Sequence, residues 1–145
     1  MAEPVAVTDI LSEINGQWNA SNVAKPQIVE MNGADAPSRI DLNRGDYIIG
    51  QPGSPTMEET PLGNWQYVNR TYGVNINVQT RISRQRLYDL MREIRRICHA
   101  RRHNLTNFQR LQFINFNEEV GEQLNVWNGT VSLQAINDNV LAETT

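Results

Sequence analysis

The apolar and polar positions of the chain are most ordered between residues 72 and 103, where YGVNINVQT passes almost directly into RISRQRLYDLMREIRRICHARRH. In the first run Tyr72, Val74, Ile76, Val78 and Thr80 alternate with Gly73, Asn75, Asn77 and Gln79, the period of two of a strand with one buried face. After Ser83, whose hydroxyl can accept an otherwise unpaired backbone N–H, Leu87, Leu90, Met91, Ile94, Ile97 and Cys98 recur at helical spacing. At roughly 100° per residue these six fall within about a third of the circumference. Arg92, Arg95, Arg96, His99, Arg102 and His103 fall on the far side. The apolar stripe is expected to lie on a sheet, where each large side chain it buries is worth about 1.5–3 kcal/mol.

The remaining elements are shorter. A first helix is expected over residues 8–18, capped by Thr8, with Ile10, Leu11, Ile14 and Trp18 at helical spacing despite Gly16. Gln27 to Met31 reads as a strand, followed by the turn-rich NGADAPS, a strand from Arg39 to Leu42 and another from Asp46 to Ile49 closed by Gly50. Residues 51–64, QPGSPTMEETPLGN, hold three prolines and two glycines without periodicity and are expected to form a long exposed loop. Trp65, Tyr67 and Val68 begin an extended run, and Asn69 to Thr71 lead into the central strand.

Past the helix, Asn104 to Asn107 make a polar break before RLQFINFN at 110–117, a strand with apolar groups on both faces. Residues 118–125 read equally as a helical turn or a loop. In VWNGTVSLQAI, Asn128-Gly129 between two strand-like runs is the favoured dipeptide of a two-residue hairpin turn. The tail 137–145 is polar apart from Val140 and Leu141, and there is no internal repeat. The expectation is one α+β domain over residues 1–145, with a mostly antiparallel sheet packed by one long and one short helix and a terminal β-hairpin.

Composition narrows the classes. At 145 residues the chain suits one core better than two. No apolar run approaches the roughly 20 residues of a membrane helix, so no membrane contact is expected. The start MAEPVAVTDILSE lacks the basic and apolar regions of a secretory signal. Use of the Asn-x-Ser/Thr matches at Asn19, Asn69, Asn104 and Asn128 is therefore not expected. Cys98 is the single cysteine and lies in the helix stripe, the position of a buried structural thiol. The net charge of −3 is unevenly spread. Residues 81–103 carry eight arginines against Asp89 and Glu93, a local +6, which leaves −9 for the rest. Such a split suits nucleic acid, or a basic patch that meets an acidic one on a neighbour.

Catalytic chemistry is not indicated. The glycines at 45, 50 and 53 are not followed by the Gly-Lys-Ser/Thr of a phosphate loop. His99 and His103 have a metal-sharing spacing but no third ligand nearby and many arginines around them. The adjacent carboxylates Glu58–Glu59 and Glu118–Glu119 should diverge rather than work as an acid and base. No enzyme activity, metal or cofactor is expected. Arg92, Arg95 and Arg96 bring three guanidiniums together with only Glu93 nearby, which calls for an anion or an acidic partner unless the face is merely solvated. Apart from Tyr88, stacking aromatics are missing beside them, which favours a protein over nucleic acid.

The order of elements, with VNINVQTRISRQRLYDLMREI as a strand-to-helix core and RLQFINFN and VWNGTVSLQAI as closing strands, resembles the tail terminator, or tail completion, proteins of long-tailed bacterial and archaeal viruses. The resemblance spans about residues 7–136 and rests on the core positions Val74, Ile76, Val78, Leu87, Leu90 and Ile94. It implies an α+β fold and a ring of six subunits at the head-proximal end of the tail tube, in the virion after assembly in the host cytoplasm. The implied partners are further copies of the chain, the tail tube protein, a neck or connector protein, and genome DNA passing through the lumen without sequence-specific binding. The expected contact residues are Arg92, Arg95, Arg96 and Arg102 on the helix and Met57, Glu58 and Glu59 on the 51–64 segment, which has the position of the family's variable loop. Another neck component, or a small nucleic-acid-binding protein using the same arginines, remains open.

Overall fold

The computed structural model describes residues 3–33, 36–64, 66–121 and 123–143. Trp65, expected to open an extended run, lies outside them, as do Ala34 and Asp35 of the expected turn, Glu122, and the final two residues of the tail. The described chain folds as α1 (Ala6–Gln17), β1 (Gln27–Glu30), β2 (Tyr47–Leu62), β3 (Tyr67–Thr80), α2 (Arg84–Ala100), β4 (Arg110–Glu119) and β5 (Trp127–Leu141). The five strands form one sheet in the order β1-β2-β3-β5-β4. Only β1 and β2 run parallel. The architecture is α+β and mostly antiparallel, with one long and one short helix.

The central strand and its helix follow from their patterns. Tyr72, Val74, Ile76, Val78 and Thr80 are buried along β3, and all six residues of the α2 stripe are buried with them. Ser83 caps α2, accepting the Arg86 N–H at 3.0 Å. Both helices lie on one face of the sheet, α1 over β1 and β2 and α2 over β3, β4 and β5. Cys98 belongs to this core, and burial pushes its thiol up to about 12, so the group stays protonated and inert.

The opposite face of the sheet carries no helix, and its rows nearest the start of α2 carry almost no charge, while Glu58 and Arg110 lie on it farther along the strands. Register places Asn75, Asn77 and Gln79 of β3 beside Ser132, Thr130 and Asn128 of β5, and beyond them Asn115, Asn117 and Glu119 of β4. Glu119 is the one carboxylate of these rows, at the rim, where it accepts from the Thr130 hydroxyl. Within the face, Gln79 donates to Asn77 at 2.6 Å and Asn77 to the Gly129 carbonyl at 3.3 Å.

Several expectations are corrected. The first helix begins at Ala6, with no side-chain cap at Val5, and Thr8 lies in its first turn bonded to Glu30 at 2.7 Å. Residues 39–42 do not form a strand; Asp41 accepts from the Asn43 N–H at 3.1 Å and starts a short 3₁₀ turn at Leu42–Arg44. Residues 51–62 are strand rather than loop, because β2 runs on beside β3 as far as Leu62. Beyond Gly50 its outer edge is unpaired, so Pro52, Pro55 and Pro61 are accommodated without a sheet partner for their missing N–H groups. A register shift between Pro52 and Met57 absorbs the glycine and the serine–proline pair that broke the period.

Asn128-Gly129 is not a turn. It lies inside the continuous β5, and a Cβ on Gly129 would stand 2.6 Å from the Phe116 ring, so the glycine makes room for an aromatic on the neighbouring strand. The link between the last two strands is the 120–126 segment instead. Nor is β4 buried on both faces, since both helices pack on the same side of the sheet. A shift between Phe113 and Asn115 sets Ile114 outward and turns both Phe113 and Phe116 toward α2. The expected polar tail is strand as far as Leu141.

The β2 shift depends on two glycines. A Cβ on Gly73 would stand 2.6 Å from the Pro55 carbonyl oxygen, and one on Gly53 2.8 Å from the Gly73 backbone. Gly73→Ala is therefore expected to cost about 1–3 kcal/mol by steric displacement of the β2 backbone. Gly16→Ala, in open space near the end of α1, is expected to add about 0.5–1 kcal/mol instead. Thermal unfolding of the two variants checks both signs.

Candidate functional site

Helical spacing brings the expected arginines together. Arg92, Arg95, Arg96 and Arg102 line one open hollow on the outer side of α2, with His99 and Ala100. They are not equivalent. Arg96 donates through Nε and Nη2 to Glu93 at 2.8 and 2.7 Å and through Nη2 to the Gln17 carbonyl at 2.9 Å. Arg102 reaches the His99 carbonyl at 2.8 Å. Arg92, Arg95 and Arg102 make no ion pair among the described residues, so theirs are the guanidinium charges free to meet another molecule.

The local charge of +6 overstates what α2 presents. Arg84 pairs with Glu118 at 2.9 Å, Arg86 with Asp46 at 2.6 Å, Arg96 with Glu93 at 2.7 Å, and Arg101 with Glu13. Three of these carboxylates lie far away in sequence, so counting along the chain did not include them. Glu93, expected beside the exposed cluster, is only 2% exposed. It accepts from the Asn19 N–H at 2.8 Å and the Asn22 side chain at 3.4 Å as well as from Arg96, tying the turn after α1 to α2. Burial raises its pKa, but the bonds from Arg96, Asn19 and Asn22 outweigh that and hold the carboxyl below the usual range.

The second group of expected contact residues lies on a strand. Met57 stands opposite Tyr72 and Glu59 opposite Arg70, while Glu58, opposite Thr71, alternates to the other face. The β2–β3 hairpin carries the core face of the sheet past the start of α1, where no helix covers it. The result is a cavity of about 380 Å³. Its walls include Pro4, Val5, Ala6, Pro52, Met57 and Tyr72, with Glu3, Glu59, Arg70 and Glu143 among its polar groups. Arg70 donates to Glu59 at 2.6 Å and lies 3.9 Å from Glu143; the bond to Glu59 pushes its pKa up. Tyr72 donates to Glu3, and burial together with that carboxylate raises its hydroxyl to about 12. Met57 and Glu59 thus belong to a built cavity, whereas Glu58 does not.

Sequence reasoning missed the cavity because it depends on 51–62 being a strand. It also missed Val120 and Leu124, large apolar side chains 98% and 90% exposed on the β4–β5 loop. Leu124 lines one hollow with Arg81, whose guanidinium, among the described residues, goes to Asn43 at 2.8 Å. Their signal, two aliphatic residues in a polar connection, is visible in VGEQLNV. Among the described residues no three His, Cys, Asp or Glu side chains gather as metal ligands would.

The fold is that of an α+β sheet with both helices on one side and two surfaces that could meet a partner. No family model and no curated protein matches the chain. Among solved structures, a chain from the virion of a native gene transfer agent particle is similar in fold. The TM-score is 0.65 at 12% identity, over 95% of this chain and 100% of that one. At that identity the likeness is one of fold.

The buried Glu93 cluster makes stability depend on acidity with a defined sign. Its folded-state pKa lies below the unfolded value of roughly 4.3, so its contribution is full above that value and lost as pH falls through the lower, folded-state one. Glu93→Gln is expected to cost about 1–3 kcal/mol at neutral pH, by weakening a buried acceptor of several donors. It should also make unfolding less acid-dependent. Urea denaturation between neutral pH and pH about 3 compares the two; parallel acid limbs in the native and variant proteins would refute the assignment.

Proposed function

We propose that the chain is a structural protein of a tailed, phage-like particle. Its subunits form a ring that closes the tail tube at its head-proximal end and joins it to the neck. The observation that carries this reading is the fold likeness, over nearly all of both chains, to a chain of the gene transfer agent virion. The strand-to-helix core that suggested a tail terminator from sequence is also the core of the fold, β3 followed by α2. In this reading the protein has no catalytic role and no cofactor. Its partners are five further copies of itself in a hexamer, the tail tube protein and a neck or connector protein, with DNA passing through the lumen.

Arg92, Arg95 and Arg102 supply the basic side of a contact whose acidic side lies on the neighbouring subunit or the tube. Such contacts set register and speed association, and salt screens them. Arg96 is committed to Glu93 and takes a structural part instead.

Arg92→Glu with Arg95→Glu is expected to weaken ring formation and tail attachment while the monomer stays folded. Light scattering and negative-stain imaging of purified protein, at low and high salt, read the outcome. Rings and attachment untouched by the two changes would defeat the partner reading of this patch. A monomeric protein that never joins tubes would defeat the ring.

A nucleic-acid-binding role is favoured by one observation, four arginines around an open hollow that no carboxylate lines among the described residues. It requires a steep salt-dependent affinity for DNA by the isolated protein without self-association. Labelling the protein within assembled particles separates a terminator from another neck component.

A further inference from the structure

We infer that copies of this chain join head to tail, the β4–β5 loop of one inserting Val120 and Leu124 into the cavity at the start of α1 of the next; this rests on the ring-forming reading above. The loop offers two large aliphatic groups almost wholly in water, 98% and 90% exposed. Single exposed apolar residues are ordinary, but two on one short loop beside an uncovered apolar cavity elsewhere on the same molecule form a matched pair. At the mouth of the cavity Val5 and Met57 are themselves exposed, so an inserted side chain finds apolar surface before it reaches the floor.

Geometry excludes self-filling. The loop enters β5 at Trp127, opposite Thr80, at one end of β3, whereas Tyr72 and Met57 pair well back along the strand, past its middle. The interval from Thr80 to Tyr72 is about 27 Å at roughly 3.4 Å per residue. Plug and socket are therefore separate patches of one subunit, too far apart for the loop to fill its own cavity. A contact between them is heterologous and closes into a ring where the rotation permits.

Charge agrees with the pairing. The socket holds Glu3, Glu59 and Glu143 against the single cation Arg70. Beside the plug, Arg81 pairs among the described residues with the neutral Asn43 and can answer that excess. An apolar centre removed from water with charged groups at its rim is the arrangement of an interface.

The test uses the full chain. Val120→Ser with Leu124→Ser changes exposed positions, so circular dichroism and thermal unfolding are expected to match the native protein. Self-association, read by light scattering across concentration, should weaken at least tenfold. In a second variant, Met57→Cys with Leu124→Cys, mild oxidation should give a series of covalent oligomers that ends at the ring. Each single cysteine variant should give nothing beyond a dimer, and the buried Cys98 takes no part. Rings that persist in the serine variant, or rings of the double cysteine variant that oxidise without the covalent series, overturn the plug and socket while leaving the ring intact. A native chain that stays monomeric overturns both.

Discussion

The structure depends on burial from one side. Every helical contact with the sheet is made on the same face, where the α2 stripe and α1 cover β1 to β5. At about 1.5–3 kcal/mol per large side chain, the six stripe residues of α2 alone represent a stabilisation comparable to the net stability of a small domain, before chain entropy is set against it. The consequence is asymmetry: whatever the helices fail to cover is available to another molecule. The hairpin of β2 and β3 outruns α1, and the cavity at Met57 and Tyr72 is the uncovered remainder of the core face.

The strand-to-helix core was legible because period and burial coincide there. Val74, Ile76, Val78 and the six α2 positions are all buried, and Ser83 caps the helix it marks. Elsewhere, local chemistry pointed to the wrong structure for identifiable reasons. Prolines at 52, 55 and 61 read as a loop, but an edge strand tolerates them where its outer side has no partner. Asn128-Gly129 read as a turn, yet the glycine answers Phe116 on the next strand, a contact no local window contains. The single extra residue at Ile114 shifted the alternation of β4, so its phenylalanines could not be assigned to faces by counting.

The same distinction governs the candidate site. That Arg92, Arg95, Arg96 and Arg102 share a hollow follows from helical spacing and was readable. Which of them are free was not, because partners arrive from outside the segment, as the carboxylates of Asp46 before β2, Glu118 on β4 and Glu13 on α1 do for Arg86, Arg84 and Arg101. Glu93 is the sharpest case. It lies within the basic stretch in sequence, but in the fold it is the buried acceptor that joins the turn after α1 to α2. The cavity could not be read at all, since it exists only when 51–62 pairs with β3.

The helix-free face of the sheet has a different physical character from the arginine side. At the end next to α2, its rows of asparagine, glutamine, serine and threonine on β3, β5 and β4 are polar without fixed charge, apart from Glu119 at the rim; Glu58 and Arg110 lie farther along. A surface of that kind gathers no counterion atmosphere and has none to release, so ionic strength has little hold on what approaches it. The two sides of the molecule thus answer the surrounding electrolyte unequally, the outer side of α2 tuned by it and that end of the sheet face indifferent to it.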